Sequence, residues 1–352
     1  MIRVLIVDDS VVVQKVLTRE LSKFPDIQVV GVAGDPYIAR ERIQELSPDV
    51  LTLDLEMPRM DGLTFLKKLM VHHPLPVVVV SSLAPENSEV AFRAFECGAV
   101  DVVAKPGSSF SVPDVEHTLV AAIRAASVAN VRKLVAKAPP VQAAKDQSLG
   151  YRASDHVLAI GASTGGPVAV EAVLSQLPRM CPGVVITQHM PKGFTKAFAD
   201  QLARGSHLDV REALGGEVIA PGTAFVAPAG RHLFVRRDGA RYMTALSDAP
   251  PEHYQRPAVD VMFRSLATCA GPNATGVLLT GMGADGALGL KDMRDAGAFT
   301  IAQDEESCVV FGMPKQAILL GAAERVVPLP DIARLLIVRL TQSESLGRAV
   351  AR

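Results

Sequence analysis

Five residues in the first third of this 352-residue chain stand where an open α/β sheet would keep its chemistry. Asp8 and Asp9 close the apolar run Ile2–Val7, and Asp54 closes Val50–Leu53. Ser81 closes Pro76–Val80, and Lys105 follows Val100–Ala104. If those runs are buried parallel strands, all five residues collect at one carboxyl edge, where such sheets hold ligands. Carboxylates gathered there repel one another, and hard oxygen donors suit Mg²⁺, which relieves the repulsion. One carboxylate then remains free to take an incoming phosphoryl group in line, with Lys105 offsetting the developing charge. An acid after a strand is more simply a helix cap or a solvated loop residue, and Asp8-Asp9 alone would be read that way. The full set in one lobe is what argues for chemistry.

A second set lies further along. His156–Ile160 runs into Gly161-Ala162-Ser163-Thr164-Gly165-Gly166-Pro167, a tight strand-to-helix turn with proline fit for the first helical turn. Ser163 would stand near a helix N-terminus, where N–H groups steady an oxyanion. A dinucleotide loop would need glycine where Ser163 stands, and a P-loop would need a GK[ST] ending. A purely structural turn also fits, so this motif alone leaves the matter open. Val184–Thr187 leads to His189, and Thr275–Leu279 leads to Asp285 within TGMGADG. Alone, the histidine is a packed or solvated residue and the aspartate a turn former. Together the three supply nucleophile, general base and orienting carboxylate. Their chain order, Ser-His-Asp, is not the Ser-acid-His order of α/β hydrolases.

The elements that must position these groups follow from hydrophobic periodicity. In the first lobe, five strand-like runs alternate with amphipathic stretches such as Val13, Val16, Leu17, Leu21 and Phe24, predicting a flavodoxin-like doubly wound sheet. The second lobe repeats the rhythm, with strands at His156–Ile160, Val184–Thr187, Thr275–Leu279 and Phe299–Ala302. Helices are expected at Val168–Leu177, Val259–Cys269 and Lys291–Ala296. This predicts a Rossmann-like parallel-sheet α/β domain, with a β-hairpin insertion between about Val210 and Leu246. Residues 1–122 carry 11 Lys+Arg against 17 Asp+Glu, residues 123–152 carry 6 against 1, and residues 153–352 carry 19 against 19. The Ala-rich, Pro139-Pro140-bearing middle reads as a linker. The expected division is 1–122, a linker 123–152, a second domain 153–345 and a disordered tail 346–352.

Composition narrows the classes. A net charge of −1 argues against bulk nucleic-acid binding. No apolar run approaches the roughly 20 residues of a membrane span, and MIRVLIVDDS does not read as a signal peptide. Cys97, Cys181, Cys269 and Cys308 lie far apart with no CxxC pair, indicating neither a zinc site nor a disulfide framework. A cytoplasmic protein is expected. His72-His73 reads as a solvated helix end, and Met57, Met60 and Met70 as packing residues.

With DD at 8–9, D at 54, S at 81, K at 105 and the run LDLEMPRMDGL, residues 1–122 resemble the receiver domain of response regulators. The resemblance implies Asp54 as phosphoacceptor, Asp8, Asp9 and Asp54 as Mg²⁺ ligands, and Ser81 and Lys105 as sensors of the phosphoryl group. Val102 stands where receivers usually carry Tyr or Phe. The runs GASTGG, ITQHMP, RPAVDVMFRSLA, LLTGMGADGALGL and AQDEESCVVFGMPKQAI resemble the catalytic domain of chemotaxis protein-glutamate methylesterases. That implies Ser163 as nucleophile, His189 as base, Asp285 as its partner, and Thr164 with the Met282 backbone lining the acyl site. No cofactor is implied for ester hydrolysis. Ala258 replaces a common serine, with loss of hydrogen bonding near the substrate expected. The implied function is phosphorylation-activated demethylation of chemoreceptor glutamates, with glutamine deamidation, the unphosphorylated receiver blocking the catalytic mouth. Implied partners are a methylated chemoreceptor and a chemotaxis histidine kinase, with a monomer that meets the membrane only through receptors. Two rivals remain: a response regulator whose second lobe only binds, and a DNA-binding regulator, the latter disfavoured by the balanced charge of residues 153–352.

Overall fold

The computed structural model describes residues 1–81, 85–105, 112–132 and 155–350. The chain divides into two units, Met1–Lys137 and Ala138–Arg352.

In the first unit, β1 (Ile2–Val7), β2 (Ile27–Ala33), β3 (Val50–Leu53), β4 (Val77–Ser81) and β5 (Asp101–Ala104) alternate with five helices. These are α1 (Val11–Leu21), α2 (Pro36–Leu46), α3 (Gly62–His72), α4 (Pro85–Glu96) and α5 (Val112–Ser127). The sheet is parallel with order β2-β1-β3-β4-β5, the flavodoxin-like winding. Every residue of β3 and β4 is buried, which is why these strands read as unbroken apolar runs. Side-chain caps start three helices: Ser10 accepts from the Val13 N–H, Asp35 from Tyr37 and Ile38, and Asp61 from Thr64. Helix α5 continues past residue 122 to Ser127, so the proposed linker begins inside a helix, and its residues 133–152 lie outside the described ones.

The second unit is built on seven parallel strands in the order β14-β13-β12-β6-β7-β9-β8. They are β6 (Val157–Ala162), β7 (Gly183–Gln188), β8 (Asp209–Glu212), β9 (Thr223–Val226), β12 (Ala274–Leu278), β13 (Phe299–Gln303) and β14 (Arg325–Val327). Helices α6 (Gly166–Leu174), α7 (Thr195–Gly205), α8 (Val259–Cys269), α9 (Ala287–Asp295), α10 (Met313–Leu319) and α11 (Leu329–Val350) complete it. The expected hairpin is present as β10 (His232–Asp238) and β11 (Arg241–Ser247), paired antiparallel from His232–Ser247 to Asp238–Arg241. Strands β8 and β9, however, extend the parallel sheet instead of joining that hairpin. Helix α9 starts at Ala287, a turn earlier than its apolar pattern suggested, and α11 runs through Val350, across most of the stretch read as a tail. Residues 351–352 lie outside the described ones. Val157, Ala159, Val185, Met262, Phe263, Leu266 and Leu290 pack in the core, all without solvent exposure. Each large side chain among them contributes about 1.5–3 kcal/mol by leaving water. Among the described residues no helix is long and apolar enough to cross a membrane.

Candidate active sites

At the carboxyl edge of the first sheet, Asp8 and Asp54 are buried, Asp9 is exposed, and Ser81 is buried at the end of β4. Backbone bonds bring their carriers together. The Asp54 N–H donates to Val7 O at 2.9 Å, and the Lys105 N–H donates to Ser81 O at 2.7 Å. The Lys105 ammonium sits 3.0 Å from Asp8 Oδ2 and 2.7 Å from Asp54 Oδ2. The remaining oxygens are tied locally, Asp8 Oδ1 to the Ser10 N–H and Asp54 Oδ1 to the Glu56 N–H. Burial raises the Asp54 carboxyl above its ordinary range, more than the opposing Lys105 charge lowers it. Lys105 is pushed down by burial but net up, because Asp54 and Asp8 hold its proton. Asp8 Oδ2 and Asp54 Oδ2 are buried without a well-aligned hydrogen bond. One carboxylate oxygen from each of Asp8, Asp9 and Asp54 falls within 4.8 Å of the others. This anionic, all-oxygen donor set fits a hard divalent cation. Val102, at the usual aromatic position, is packed in β5 and buried.

In the second unit the pairing of β6 with β7 sets Ala162 opposite Gln188, so Ser163 and His189 leave adjacent strands side by side. The His189 N–H donates to Ala162 O at 3.2 Å, and the Ser163 N–H to Thr280 O at 3.0 Å. The strand ends of β6, β7 and β12 therefore converge on one place. His189 Nε2 lies 2.8 Å from Asp285 Oδ2. A carboxylate only accepts, so Nε2 carries the proton and Nδ1 is left as the basic nitrogen.

Asp285 is fixed from a second direction. The Val259 N–H donates to its Oδ2 at 2.7 Å and the Asp260 N–H to its Oδ1 at 3.0 Å. Those are the first two amides of α8, whose own cap residue, Ala258, offers no side-chain bond. Asp285 thus caps a helix from a distant loop, with the helix dipole favouring its charge. Burial pushes its carboxyl up, yet the bonds from His189, Asp260 and Val259 outweigh this and hold it below the usual range. Ala258 is fully buried, its N–H donating to His232 Nδ1 at 3.2 Å. The hydroxyl that Ala258 lacks would lie at the start of α8, next to the two amides that hold Asp285.

Close backbone approach explains two glycines. A Cβ on Gly281 would fall 2.7 Å from Ser163 Cβ and 2.3 Å from Met313 Sδ. The Gly281-Met282 segment thus passes directly against the Ser163 side chain, with Met282 40 % exposed beside it. A Cβ on Gly166 would fall 2.0 Å from Gln188 Oε1. Thr164 is buried, and its carbonyl accepts from Thr280 Oγ1 at 3.0 Å.

Sequence reasoning passed over Gln188. Its buried amide donates to Ser163 O at 2.9 Å and to His189 O at 3.0 Å, clamping the two strand ends together. A polar residue closing an otherwise apolar strand was the available signal. Thr280 was missed as well: its N–H donates to Gln303 Oε1 at 2.8 Å, and its hydroxyl accepts from the Val310 N–H at 3.0 Å.

The profile of the CheB methylesterase family matches residues 158–336, and that of the response regulator receiver domain matches residues 4–112. A protein-glutamate methylesterase/protein-glutamine glutaminase of Anaeromyxobacter dehalogenans is 55 % identical over 338 residues, 95 % of each chain. A namesake in Syntrophus aciditrophicus is 53 % identical over 336 residues, 94 % of this chain and 97 % of its own. Among solved structures, the Thermotoga maritima CheB methylesterase catalytic domain is 39 % identical with a TM-score of 0.51. The match covers 52 % of this chain and 98 % of that one.

Proposed function

The chain belongs to the CheB methylesterase family and carries a response regulator receiver domain; from that premise we propose that it removes methyl esters from protein glutamates and deamidates protein glutamines, under control of phosphorylation at Asp54. The observation that carries the reading is the 2.8 Å bond between His189 Nε2 and Asp285 Oδ2, beside the strand end that bears Ser163. His189 Nδ1 accepts the Ser163 hydroxyl proton as Oγ attacks the γ-carbonyl of the esterified side chain. Asp285 holds the ring in one tautomer and stabilises the imidazolium. Backbone amides around Thr164 and Met282 receive the oxyanion. His189 returns the proton to the departing methoxide, and methanol leaves. Water, deprotonated by the same imidazole, cleaves the acyl-enzyme to glutamate. With glutamine as substrate the leaving group is ammonia and the later steps are unchanged.

In the receiver, the Asp54 carboxylate takes a phosphoryl group from a phosphodonor, Lys105 and Ser81 meeting the new oxygens. Asp8, Asp9 and Asp54 would hold Mg²⁺, which when bound neutralises charge on the phosphoryl oxygens. The substrate is a methylated chemoreceptor and the donor a chemotaxis histidine kinase, placing a monomeric enzyme in the cytoplasm against receptor arrays. The domain division is a receiver, a linker and an esterase near residues 1–122, 123–152 and 153–345. The test is methanol release from methyl-labelled receptor membranes by the wild type and Ser163→Ala. Release should fall to background in the variant, and undiminished release overturns the assignment. A small-molecule phosphodonor should stimulate the wild type and leave Asp54→Asn unchanged.

A further inference from the structure

Between β11 and α8 the chain makes a two-residue hairpin turn. The Glu252 N–H donates to Gln255 O at 3.1 Å, and the Gln255 N–H to Glu252 O at 2.7 Å. The central residues, His253 and Tyr254, lie at φ 51° and 62°. Asn-Gly is the sequence that adopts such a turn freely, whereas a bulky side chain in the left-handed region is strained. Two adjacent ones are held here, so the surroundings must hold them.

Side-chain bonds supply the restraint. His253 Nε2 lies 2.9 Å from Oδ2 of the fully buried Asp260, whose Oδ1 accepts the Gly289 N–H at 2.6 Å. Glu252 pairs with Arg264. The Arg256 guanidinium donates to Asp248 O at 3.0 Å and to Ala249 O at 3.1 Å. The His253 ring stays partly exposed while its Nε2 reaches Asp260, and Tyr254 is 100 % exposed. The turn also stands at the esterase site. One ligating atom each from His253, Asp260 and Asp285 falls within 4.8 Å of the others, and Asp285 is the carboxylate that holds His189.

A rigid, strained mount carrying a bare aromatic ring beside a reacting centre is a device for contact. We propose that Tyr254 is a specificity-determining residue that packs on the polypeptide flanking the esterified glutamate. The inference rests on the methylesterase reading, which makes the substrate a side chain of another protein rather than a free ester. Tyrosine supplies a large contact area with few rotors to immobilise, and a fixed mount lowers the ordering cost further. A small ester carries no flanking polypeptide for Tyr254 to touch.

The experiment compares full-length wild type, Tyr254→Ala, Tyr254→Phe and Tyr254→Gly on two substrates. These are methyl-labelled chemoreceptor membranes and N-acetylglutamate γ-methyl ester. Tyr254→Ala should lose about tenfold in kcat/KM on the receptor, through KM, and keep the small-ester rate. Tyr254→Phe should retain receptor activity. Tyr254→Gly should lose as much as Tyr254→Ala while raising the thermal midpoint, because glycine adopts φ 62° without strain. Equal kcat/KM of wild type and Tyr254→Ala on the receptor overturns the proposal, as does an equal loss on both substrates. Failure of the wild type to release methanol from receptors sinks the methylesterase reading itself, and this inference with it.

Discussion

Asp285 Oδ2 lies 2.8 Å from His189 Nε2 and also accepts the Val259 N–H at 2.7 Å, so one oxygen orients the imidazole and starts a helix. The two tasks are coupled. Asp285→Asn keeps the shape, but its NH₂ group can donate to His189, which favours the tautomer with the proton on Nδ1. In a triad of this logic the wrong tautomer costs about 10⁴ in kcat. The lost charge at the helix start should cost about 1 kcal/mol of stability besides. Methanol-release kinetics and denaturant unfolding of the full chain measure the two effects separately.

Gln188 holds Ser163 O and His189 O through a single amide. Gln188→Leu is near in volume but donates nothing, leaving two carbonyls without that donor and the two strand ends free to shift. A misplacement of this kind costs about 10–100-fold in rate. The loss should appear in kcat with KM nearly constant, since no substrate contact is removed. Gln188→Glu should not rescue, because a carboxylate cannot donate.

Much of this was legible because strand ends are legible. The runs before Asp8, Asp54, Ser163 and His189 are buried on both faces, so each polar residue that ended one marked the sheet edge. The cap on α8 was not legible, since Asp285 reaches across 26 positions to Val259 and leaves no local signature. Nor was β14, three residues with Arg325 and Val326 exposed and so without an apolar run. Strands β8 and β9 misled for another reason: short runs between Gly and Pro look alike whether they pair with each other or extend a distant sheet. The start of α9 was hidden by Gly286 and Gly289, which suit the close approach to Val259 and Asp260 but read as loop.

Buried acids held at one sheet edge make the receiver less stable than it would be without them. Asp54→Asn removes one charge of the set while Lys105 keeps Asp8 as partner, 3.0 Å away. In EDTA the variant's receiver should therefore be the more stable one, because burial disfavours the Asp54 charge more than Lys105 favours it. Saturating Mg²⁺ should stabilise the wild type more than the variant, because it binds the folded three-carboxylate set and not the unfolded chain. Thermal unfolding with and without the cation checks both signs.

His156 sits at the opposite, amino-terminal end of β6, with Nε2 2.9 Å from Thr275 Oγ1. Burial, helped by the Arg339 charge, lowers its pKa from 6.5 to about 4. Because the folded value is depressed, the unfolded chain binds the proton first as pH falls. Stability tied to the neutral ring is thus complete above pH 6.5 and drains away between there and about 4. One such group carries at most about 3 kcal/mol over that window. Asp285, a carboxylate held below its ordinary 3.8, adds its own loss only at lower pH still. His156→Gln can keep the hydrogen bond to Thr275 but cannot titrate. Full-length wild type and variant should unfold alike at pH 7.5 and diverge toward pH 4.5, the variant holding more of its stability. Parallel curves across that range would mean that His156 protonates as readily in the folded chain as in the unfolded one.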